Sequence, residues 1–445
     1  MDESIRNFEG KFNEVKEPIR VVSHLDADGL SSAAIVIKAL QRENREFNLT
    51  IVRQLDETAL KELSVESYNV FLFCDLGSGQ LSLISKHLKG KKIFILDHHI
   101  PEDHENDFVH VNPHLEGHSS WDYSGACLCY LFAKKLNEKN KDLSYIAVIG
   151  GLGDHLDFTK GALKTILDDS VSLGKIEVKK GLRMFGTQTR SLVNLLQYST
   201  DPYIPGVTGD YEGAAGFLGS LGIDIKKNGE YIKLKDLDDR QMKDLIAGVI
   251  IKRFGSEEDP EDVIGNIYLL KDEDEESYTK DAKEFATLLN ACGRLKNFSV
   301  GIGVLLGNIE LKKEANDIMK EYKSELIKAM NWFYSNKDRF EKGGNYMIIN
   351  AHDSIKDSLI GTLSGMILAN SGKRGFIIVG MAETHEGEIK VSLRTNSDKI
   401  DLREIINKIA DGGGHSKACG AYVKKENEDE FIRKIKEELN NLNSS

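Results

Sequence analysis

The stretch "VVSHLDADGL" (residues 21–30) decides the fold of the first part of the chain. An apolar run ends there in a histidine and two aspartates at alternate positions. Alternate residues of a strand point the same way, so we expect His24, Asp26 and Asp28 to share one face where the strand enters its loop. Carboxylates this close repel each other, and a divalent metal relieves the repulsion. The alternative is an ordinary strand-to-helix turn, in which an aspartate caps the next helix and Gly29 turns the chain.

The composition is that of a soluble globular protein. At 445 residues, with 40% hydrophobic and 29% charged residues, the chain is long enough for two or three domains. No apolar run approaches the roughly 20 residues of a membrane helix, and the N-terminus is polar, so we expect a cytoplasmic protein. The five scattered cysteines indicate reduced thiols that pack as small apolar groups.

The net charge of −12 ordinarily argues against nucleic-acid binding, because phosphates are usually held by an excess of Lys and Arg. A metal cluster changes this conclusion. If part of the acid count binds cations, the charge that attracts phosphate is the metal. The net charge therefore does not exclude a phosphate-bearing substrate.

The pattern of apolar runs and helix-like segments along the sequence predicts three domains. Residues 1–160 alternate continuous apolar runs with helical stretches, which is typical of a parallel α/β sheet buried on both faces. Residues 161–340 are mainly helix-like segments broken by loops such as "STDPYIPGVTGD". Residues 341–445 return to strand-like runs and predict a smaller C-terminal α/β domain.

The middle region ends in a long amphipathic pattern. About 26 helical residues would reach roughly 40 Å, enough to bridge two domains, although a plain bundle helix explains the pattern equally well. The predicted apolar stripe contains Leu311, Ala315, Ile318, Met319, Tyr322 and Leu326.

Three further clusters follow apolar segments in the first domain. Asp75 follows "VFLFC", and Asp97, His98 and His99 follow "KKIFIL". Asp154 follows the apolar segment "YIAVIG" in "GGLGDHLD". Because the carboxyl ends of parallel strands meet at one edge of a sheet, we expect these side chains to converge on one crevice.

Mixed carboxylate and imidazole ligands favour Mn²⁺ first and Mg²⁺ next, and the lack of thiolates argues against structural zinc. Five or six ligands exceed the needs of one tetrahedral ion. They fit a pair of ions about 3.5–4 Å apart that share one carboxylate, which is the apparatus for hydrolysing phosphoesters.

In order, "HLDADG", "CDLG", "LDHH" and "GLGD" resemble the four motifs of the DHH phosphoesterase superfamily. "DGGGHSKACGA" (411–421) resembles the glycine-rich motif of the associated DHHA1 domain, and "VSLRTN" (391–396) the arginine strand before it. "STDPYIPGVTG" and "FATLLNACGR" resemble segments of archaeal RecJ-like nucleases. The resemblance covers nearly the whole chain. It implies a DHH domain, a helical insertion and a DHHA1 domain, with the active site in the interdomain cleft.

The resemblance also implies roles for single residues. Asp26 and Asp28 would each hold one metal, and Asp75 would bridge both ions. His98 and Asp154 would complete the second site. His99 would be catalytic and face the scissile phosphate. Related pyrophosphatases carry a histidine four residues before the first aspartate, where this chain has Val22, so the first metal uses either His24 or water.

The C-terminal motif predicts a phosphate clamp, that is, a group of residues that holds substrate phosphates. Glycines 412–414 (Gly412, Gly413, Gly414) would let backbone N–H groups approach an oxyanion as a nest, with His415 donating to a phosphate oxygen. Arg394 suits a bidentate phosphate contact. The alternatives are a flexible turn for the glycines and a surface salt bridge for the arginine. Arg294 is a weaker candidate for gripping the strand backbone. The histidines near the cluster are expected either in loops or behind the ligands in a supporting role: His104, His110, His114, His118 and His155.

The resemblance implies a metal-dependent exonuclease that degrades single-stranded DNA or RNA to mononucleotides in replication or repair. Two alternatives keep the fold. One is a short-oligonucleotide hydrolase or nucleotide phosphatase, which is generally smaller. The other is a non-catalytic replisome scaffold that joins the replicative helicase, and an active nuclease could also dock on such a partner. The motifs do not encode cleavage polarity or the choice between DNA and RNA.

Overall fold

The computed structural model describes residues 1–199, 202–254, 259–371, 373 and 375–442. Two residues of the predicted loop at 199–210, Thr200 and Asp201, lie outside the described residues. The chain divides into two compact units: Met1–Arg190 with Ile264–Met319, and Ser191–Val263 with Lys320–Ser445. The domain boundaries predicted at residues 160 and 340 stay predictions.

The helices and strands follow in chain order. The first third of the chain contains α1 (Asp2–Glu14), β1 (Ile19–His24), α2 (Ala27–Arg42), β2 (Phe47–Val52), α3 (Glu57–Ser64), β3 (Val70–Cys74), α4 (Leu81–His87), β4 (Lys92–Leu96), β5 (Val109–Val111), α5 (Gly125–Leu136) and α6 (Ser144–Gly153). The middle contains α7 (Gly161–Ser172), β6 (Ile176–Leu182), α8 (Leu192–Gln197), α9 (Tyr211–Ser220), β7 (Lys226–Lys227), β8 (Glu230–Tyr231), α10 (Asp239–Arg253), β9 (Ile264–Leu270), α11 (Ala282–Arg294), α12 (Phe298–Leu305) and α13 (Ile309–Asn336). The last part contains β10 (Glu341–Lys342), β11 (Tyr346–Asn350), α14 (Asp357–Asn370), β12 (Ile377–Glu383), β13 (Glu388–Thr395), α15 (Leu402–Ile406), β14 (Gly412–His415), β15 (Ala418–Lys424) and α16 (Glu428–Asn441).

The first unit is built on a parallel five-stranded sheet in the order β2-β1-β3-β4-β5. The chain leaves β1 for β2 on one side and returns to β3 on the other. This is the topological switch point of a doubly wound sheet, where the loops after the two strands diverge and leave a crevice. The prediction of a parallel α/β sheet is confirmed.

Both faces of this sheet are covered by helices, which explains the continuous apolar runs. On one face α3 and α4 contribute to a buried cluster with Phe71, Phe73 and Ile95. On the other face, aromatic rings from α1, β4 and α5 pack edge to face at centroid distances of 5.0–5.4 Å: Phe8, Phe12, Phe94 and Phe132. Edge-to-face packing places the positive edge of one ring on the negative face of the next.

Two features of the middle region bear on the predictions. The strands β6 and β9 form an antiparallel pair in the first unit. The sequence predicted mainly helices in this region and did not indicate these strands. Helix α13 has 28 residues, about 42 Å at 1.5 Å per residue. Four members of its predicted stripe are buried, namely Ala315, Ile318, Met319 and Tyr322, and the division between the units falls within this helix.

The second unit contains a six-stranded sheet in the order β10-β11-β12-β13-β15-β14. Strands β11 and β12 pair in parallel, and the other neighbours are antiparallel. One face packs on α15 and α16 through a core that includes Val391, Leu393 and Phe431. The strand-like runs "NYMIINAH", "RGFIIVGMA" and "IKVSLRT" of the predicted C-terminal domain contain β11 and most of β12 and β13. No helix in the described part of the chain is long and apolar enough to cross a membrane.

Candidate active site

The first strand ends earlier than the alternation of residues predicts. Strand β1 stops at His24, and Asp26 is the N-cap of α2, where its Oδ1 accepts a hydrogen bond from Gly29 N at 2.9 Å. Asp28 lies in the first helical turn and is buried. The expectation that the three side chains share one strand face is therefore wrong, since aspartate is a favourable N-cap and the chain turns into the helix at once. The capping alternative applies to Asp26, whose second oxygen, Oδ2, faces His24.

Asp75 lies directly after β3, across the switch point from His24. Its backbone takes the left-handed conformation at φ 59°, which aspartate tolerates better than most residues. Its amide N donates to Leu96 O at 2.9 Å. The carboxylate is buried, and its two oxygens point toward two different groups of side chains.

The first group contains His24, Asp26 and Asp75. The His24 Nδ1 atom is 3.0 Å from Asp26 Oδ2 and 3.8 Å from Asp75 Oδ2. One ligand atom from each of the three residues falls within 4.8 Å of the others. The side chains of His24 and Asp26 keep about 30% of their surface exposed, so this group is open to solvent.

The second group contains Asp28, His98 and Asp154, and its ligand atoms also lie within 4.8 Å of one another. The His98 Nε2 atom is 3.3 Å from Asp154 Oδ2 and 4.0 Å from Asp28 Oδ2. The same atom is 3.5 Å from Asp75 Oδ1. Asp75 therefore presents Oδ2 to the first group and Oδ1 to the second, and all six predicted metal ligands lie in one place.

Asp154 reaches this cluster from an unexpected element. The apolar segment "YIAVIG" is part of helix α6, and Asp154 is its C-cap residue, so the expectation that Asp154 follows a buried strand is wrong. A short apolar run cannot distinguish a buried strand from a buried helix. The glycines of the motif serve close packing: a Cβ at Gly150 would lie 2.8 Å from Asp28 Oδ1.

The electrostatics of the cluster are those of crowded, buried carboxylates. Burial, reinforced by the charges of Asp28 and Asp26, raises the pKa of Asp75 well above its usual value. Burial and the charge of Asp154 raise the pKa of Asp28 to about 6. Burial alone would lower the pKa of His98, but the adjacent carboxylates of Asp154 and Asp75 outweigh it and raise that pKa well above its usual value. The site therefore attracts positive charge, either as protons or as cations.

The donor set fits divalent cations. Asp75 Oδ1 is buried and meets no hydrogen-bond geometry with any described residue, as expected of a ligand oxygen. The backbone O of Ser120 lies 3.3 Å from His98 Nδ1, so an Nδ1–H donated there leaves Nε2 as the ligand atom. Oxygen and imidazole donors suit Mn²⁺ and Mg²⁺. The residues that would hold two such ions are those of the two groups.

His99 is oriented by Asp97. The His99 Nδ1 atom is 2.7 Å from Asp97 Oδ1, which also accepts from the backbone N of His98 at 2.8 Å. Asp97 Oδ2 accepts from Ser78 N at 2.9 Å. Burial would raise the pKa of Asp97, but the neighbouring His99 and these hydrogen bonds hold it well below its usual value. Asp97 was noted in the sequence without a role; the structure makes it the positioning residue of His99.

Several supporting contacts had no signal in the sequence. The backbone N atoms of Gly125 and Ala126 donate to Asp28 at 2.6 and 3.1 Å. Asn290 on α11 accepts from Ala27 N at 3.0 Å, across 263 positions of sequence. A Cβ at Gly293 would lie 1.8 Å from Leu25 O, so α11 packs closely against the loop between β1 and α2. Arg294, one turn after Asn290, ends the same helix.

The neighbouring histidines are not all in loops, since His110 belongs to β5 and His114 to a short 3-10 helix. His110 Nε2 lies 2.8 Å from Ser78 Oγ, and His114 Nε2 lies 2.8 Å from Ser120 Oγ. The Ser120 hydroxyl in turn donates to His98 O at 2.8 Å. His104 bonds Ser85, His118 packs against Tyr123, and His155 follows Asp154 with φ 60°.

The clamp residues lie together on the C-terminal sheet. Arg394 on β13 and His415 on β14 both pair with Ala418 on β15. Residues opposite each other on neighbouring strands share a face, so the two side chains flank the small Ala418, roughly 10 Å apart. The Arg394 Nη1 atom donates to Leu393 O at 2.8 Å, and a Cβ at Gly361 would lie 2.8 Å from Nη2.

The glycines form a strand rather than a nest. Gly412, Gly413 and Gly414 belong to the edge strand β14, where only Gly414 has positive φ, at 124°. A nest needs successive left- and right-handed residues, so that expectation is wrong. A Cβ at Gly412 or Gly414 would clash with Ile406 or with Ala418 O, whereas Gly413 faces open space. Packing therefore explains two of the three glycines. Their role in substrate binding stays a prediction.

Comparisons with known proteins identify three family domains in the chain. The DHH family N-terminal domain matches residues 18–150, the DHH-CID domain residues 184–267 and the DHHA1 domain residues 343–441. An uncharacterized protein of Methanocaldococcus jannaschii is 30% identical, with 98% of each chain covered.

Among solved structures, RecJ from Thermus thermophilus in complex with Mn²⁺ has a TM-score of 0.61 at 14% identity, with 97% of this chain covered. This chain spans about half of that protein, 54%. An exonuclease RecJ bound to manganese has a TM-score of 0.57 at 14% identity, with 97% and 93% covered. CDC45 from Entamoeba histolytica has a TM-score of 0.63 at 13% identity, with 98% and 99% covered.

A doubly wound parallel sheet with two carboxylate–histidine groups at its switch point, followed by an insertion and a second α/β domain, defines the class of fold. The chain belongs to the DHH/DHHA1 superfamily and has the RecJ-like fold. Membership supports a metal-dependent hydrolase.

Proposed function

We propose that the chain is a two-metal-dependent exonuclease that hydrolyses single-stranded DNA or RNA to mononucleotides. The observation that carries the proposal is the position of Asp75, whose Oδ2 lies near His24 and whose Oδ1 lies near His98. A carboxylate shared in this way suits two cations held side by side. When bound, such a pair neutralises charge on the phosphate and lowers the pKa of a water molecule.

The protein's own residues supply position and proton control. Asp97 accepts from His99 Nδ1 and fixes the orientation of the imidazole, so that Nε2 is left to face a phosphate oxygen. Asp28 is fixed by two backbone N–H groups at the start of α5. These contacts hold the reacting groups before substrate arrives, and such preorganisation is a large part of catalysis.

Substrate contacts are proposed on the C-terminal sheet. Arg394 and His415 would each bind a phosphate along the strand backbone, with Ala418 leaving room between them. On the same strands Lys390 lies over the Tyr422 ring, its Nζ 4.1 Å from the centroid. A cation and an aromatic face are what a single strand with unpaired bases requires.

The direct test is digestion of end-labelled strands. DNA and RNA of one sequence, labelled at either end, are incubated with Mn²⁺, with Mg²⁺ and with EDTA, beside a blunt duplex. We expect mononucleotide release from single strands with metal only, and the label position gives the polarity. Asp75→Asn should be inactive, while Asp107→Asn, an exposed aspartate of the same domain, should match the wild type. Hydrolysis of dinucleotides with intact longer strands would instead indicate a short-oligonucleotide hydrolase.

A replisome scaffold is the second candidate, because the likeness to CDC45 extends over 98% of this chain. The complete set of six ligands argues for catalysis, since a pure scaffold has no need of it. Docking on a helicase or another replication protein is compatible with both functions. A protein that binds Mn²⁺ at neither group and cleaves no strand would support the scaffold alone.

A further inference from the structure

A cavity of about 220 Å³ lies in the first compact unit, outside the two metal-binding groups. It is lined by the segment 121–123 and by the turn that leads into α7. Trp121 is the notable lining residue because it keeps 59% of its surface exposed, which is uncommon for a tryptophan. The residues that matter for the argument are His118, Trp121, Asp122, Tyr123, Asp157 and Lys160.

The segment that carries Trp121 is tied to metal-site residues at both ends. On one side the backbone O of Ser120 lies 3.3 Å from His98 Nδ1, and the Ser120 hydroxyl donates to His98 O at 2.8 Å. On the other side Gly125 N donates to Asp28 Oδ2 at 2.6 Å. The chain on both sides of Trp121 is therefore anchored to residues of the second group.

The lining combines aromatic surface with hydrogen-bonding groups. The His118 and Tyr123 rings pack edge to face at 5.7 Å, beside the exposed indole. Asp122 and Asp157 add carboxylate acceptors, and Lys160 adds a donor. Two carboxylates oppose a phosphate in the cavity, whereas they can accept hydrogen bonds from the amino and ring N–H groups of a base. Pockets for whole ligands are roughly 300–1,000 Å³, so the smaller volume suits one ring system.

We propose that this Trp121 cavity binds the nucleobase of the nucleotide next to the scissile phosphate, with the base stacked on the indole. The proposal rests on the proposed nuclease function for its substrate, but its chemistry can be tested separately. Stacking does not depend on base identity, because every base has a π face. The cavity would thus select for an unpaired nucleotide without selecting a sequence.

The first test uses fluorescence in EDTA, so that bound metal cannot attract phosphate. The chain has two tryptophans, and Trp332→Phe leaves Trp121 as the sole reporter. We expect saturable quenching by deoxyadenosine and deoxyadenosine monophosphate, and no change with deoxyribose 5-phosphate. Quenching by the sugar phosphate alone would mean that the cavity binds phosphate. Absence of quenching by the nucleoside and the nucleotide would refute the proposal.

The second test compares strands with an intact and an abasic terminal nucleotide. Stacking predicts that the wild type prefers the intact strand by roughly 5- to 100-fold in kcat/KM. Trp121→Ala should lose this preference and keep Mn²⁺ affinity, while Trp121→Phe should keep most of it. Leu115→Ala removes an equally exposed apolar side chain that does not line the cavity, and it should behave as the wild type.

The two tests separate the two proposals. If Trp121→Ala keeps the wild-type preference for an intact terminus, the cavity does not bind the base, although the nuclease proposal stands. If the wild type degrades no strand, the nuclease proposal fails, and the fluorescence titration still decides whether the cavity binds a base.

Discussion

Asp75→Asn is the substitution that best tests the shared-carboxylate site. Asparagine keeps the shape of the side chain and tolerates the left-handed backbone at φ 59°, where alanine adds about 1 kcal/mol of strain. The backbone N–H bond to Leu96 O is retained. Because burial and the charges of Asp28 and Asp26 raise the pKa of Asp75, its ionised form is unfavourable without metal. The free energy of unfolding of the metal-free variant should therefore equal or exceed that of the wild type.

The metal-dependent part of stability should change in the opposite direction. A ligand that binds only the folded state stabilises it by about 2.7 kcal/mol at a hundred times its Kd. Two ions thus add about 5 kcal/mol to the wild type. Asp75 faces both groups, through His24 and through His98, so its loss should reduce the stabilisation by Mn²⁺ to below about 1 kcal/mol. Hydrolysis should fall on the order of 1,000-fold, because several kcal/mol of charge stabilisation are lost.

The assay is urea unfolding in EDTA and in excess Mn²⁺, followed by strand digestion. Asp154→Asn is the matched control, because Asp154 belongs to the second group only and should remove about half of the metal-dependent stabilisation. An Asp75→Asn variant that keeps the full stabilisation by Mn²⁺, or more than a few per cent of the hydrolysis rate, would refute the two-group assignment.

Asp97→Asn should lower kcat by roughly 10- to 100-fold with little change in Mn²⁺ affinity, because it disturbs the His99 ring, whereas asparagine Oδ1 can still accept from the backbone N of the proposed ligand His98. An equal loss of both, measured by kinetics and calorimetry, would make Asp97 a metal-site residue. Alanine at Arg394 or His415 should leave Mn²⁺ affinity unchanged, weaken strand binding, and reduce its salt dependence by about one phosphate contact each; impaired metal binding with normal strand affinity would contradict the clamp. Burial and the charge of Asp281 raise the pKa of Glu284 from 4.5 to about 7. Its contribution to the free energy of unfolding is therefore complete below pH 4.5 and is lost as the pH rises through 7. At 1.36 kcal/mol per pKa unit, the loss is about 3 kcal/mol. Glu284→Gln can keep the contacts with Thr189 and Gln188 and should remove this loss between pH 4.5 and 8 in urea unfolding; an unchanged pH dependence would count against it.

The parts of the fold that the sequence predicted correctly are those with an unambiguous local signal. The runs before His24, Asp75 and Asp97 are buried on both faces of the sheet, and such runs with acidic ends are readable as parallel strands. The segment before Asp154 is equally apolar but helical, because composition alone does not separate the two over about ten residues. Local patterns therefore predicted which residues meet but not every element that carries them.

Contacts between distant segments could not be predicted. The bond from Ala27 N to Asn290 joins two helices that local periodicity describes only one at a time. Strand β6 has four consecutive exposed residues between buried ends, so it lacks the alternation by which half-buried strands are recognised. The glycines of β14 were read as a ligand loop because a clash with Ile406 or Ala418 becomes visible only in the packed sheet.

The charge of the site reconciles an acidic chain with the proposed polyanionic substrate. The four clustered aspartates, Asp26, Asp28, Asp75 and Asp154, carry up to four negative charges, which two divalent cations would balance. Without metal, the same carboxylates repel phosphate. Because coupling between two ligands is reciprocal, a strand that needs the metals in order to bind must also tighten the binding of the metals. Because the chain carries a net charge of −12, we expect its affinity for phosphate to come from the metal-occupied site and not from the rest of the protein surface.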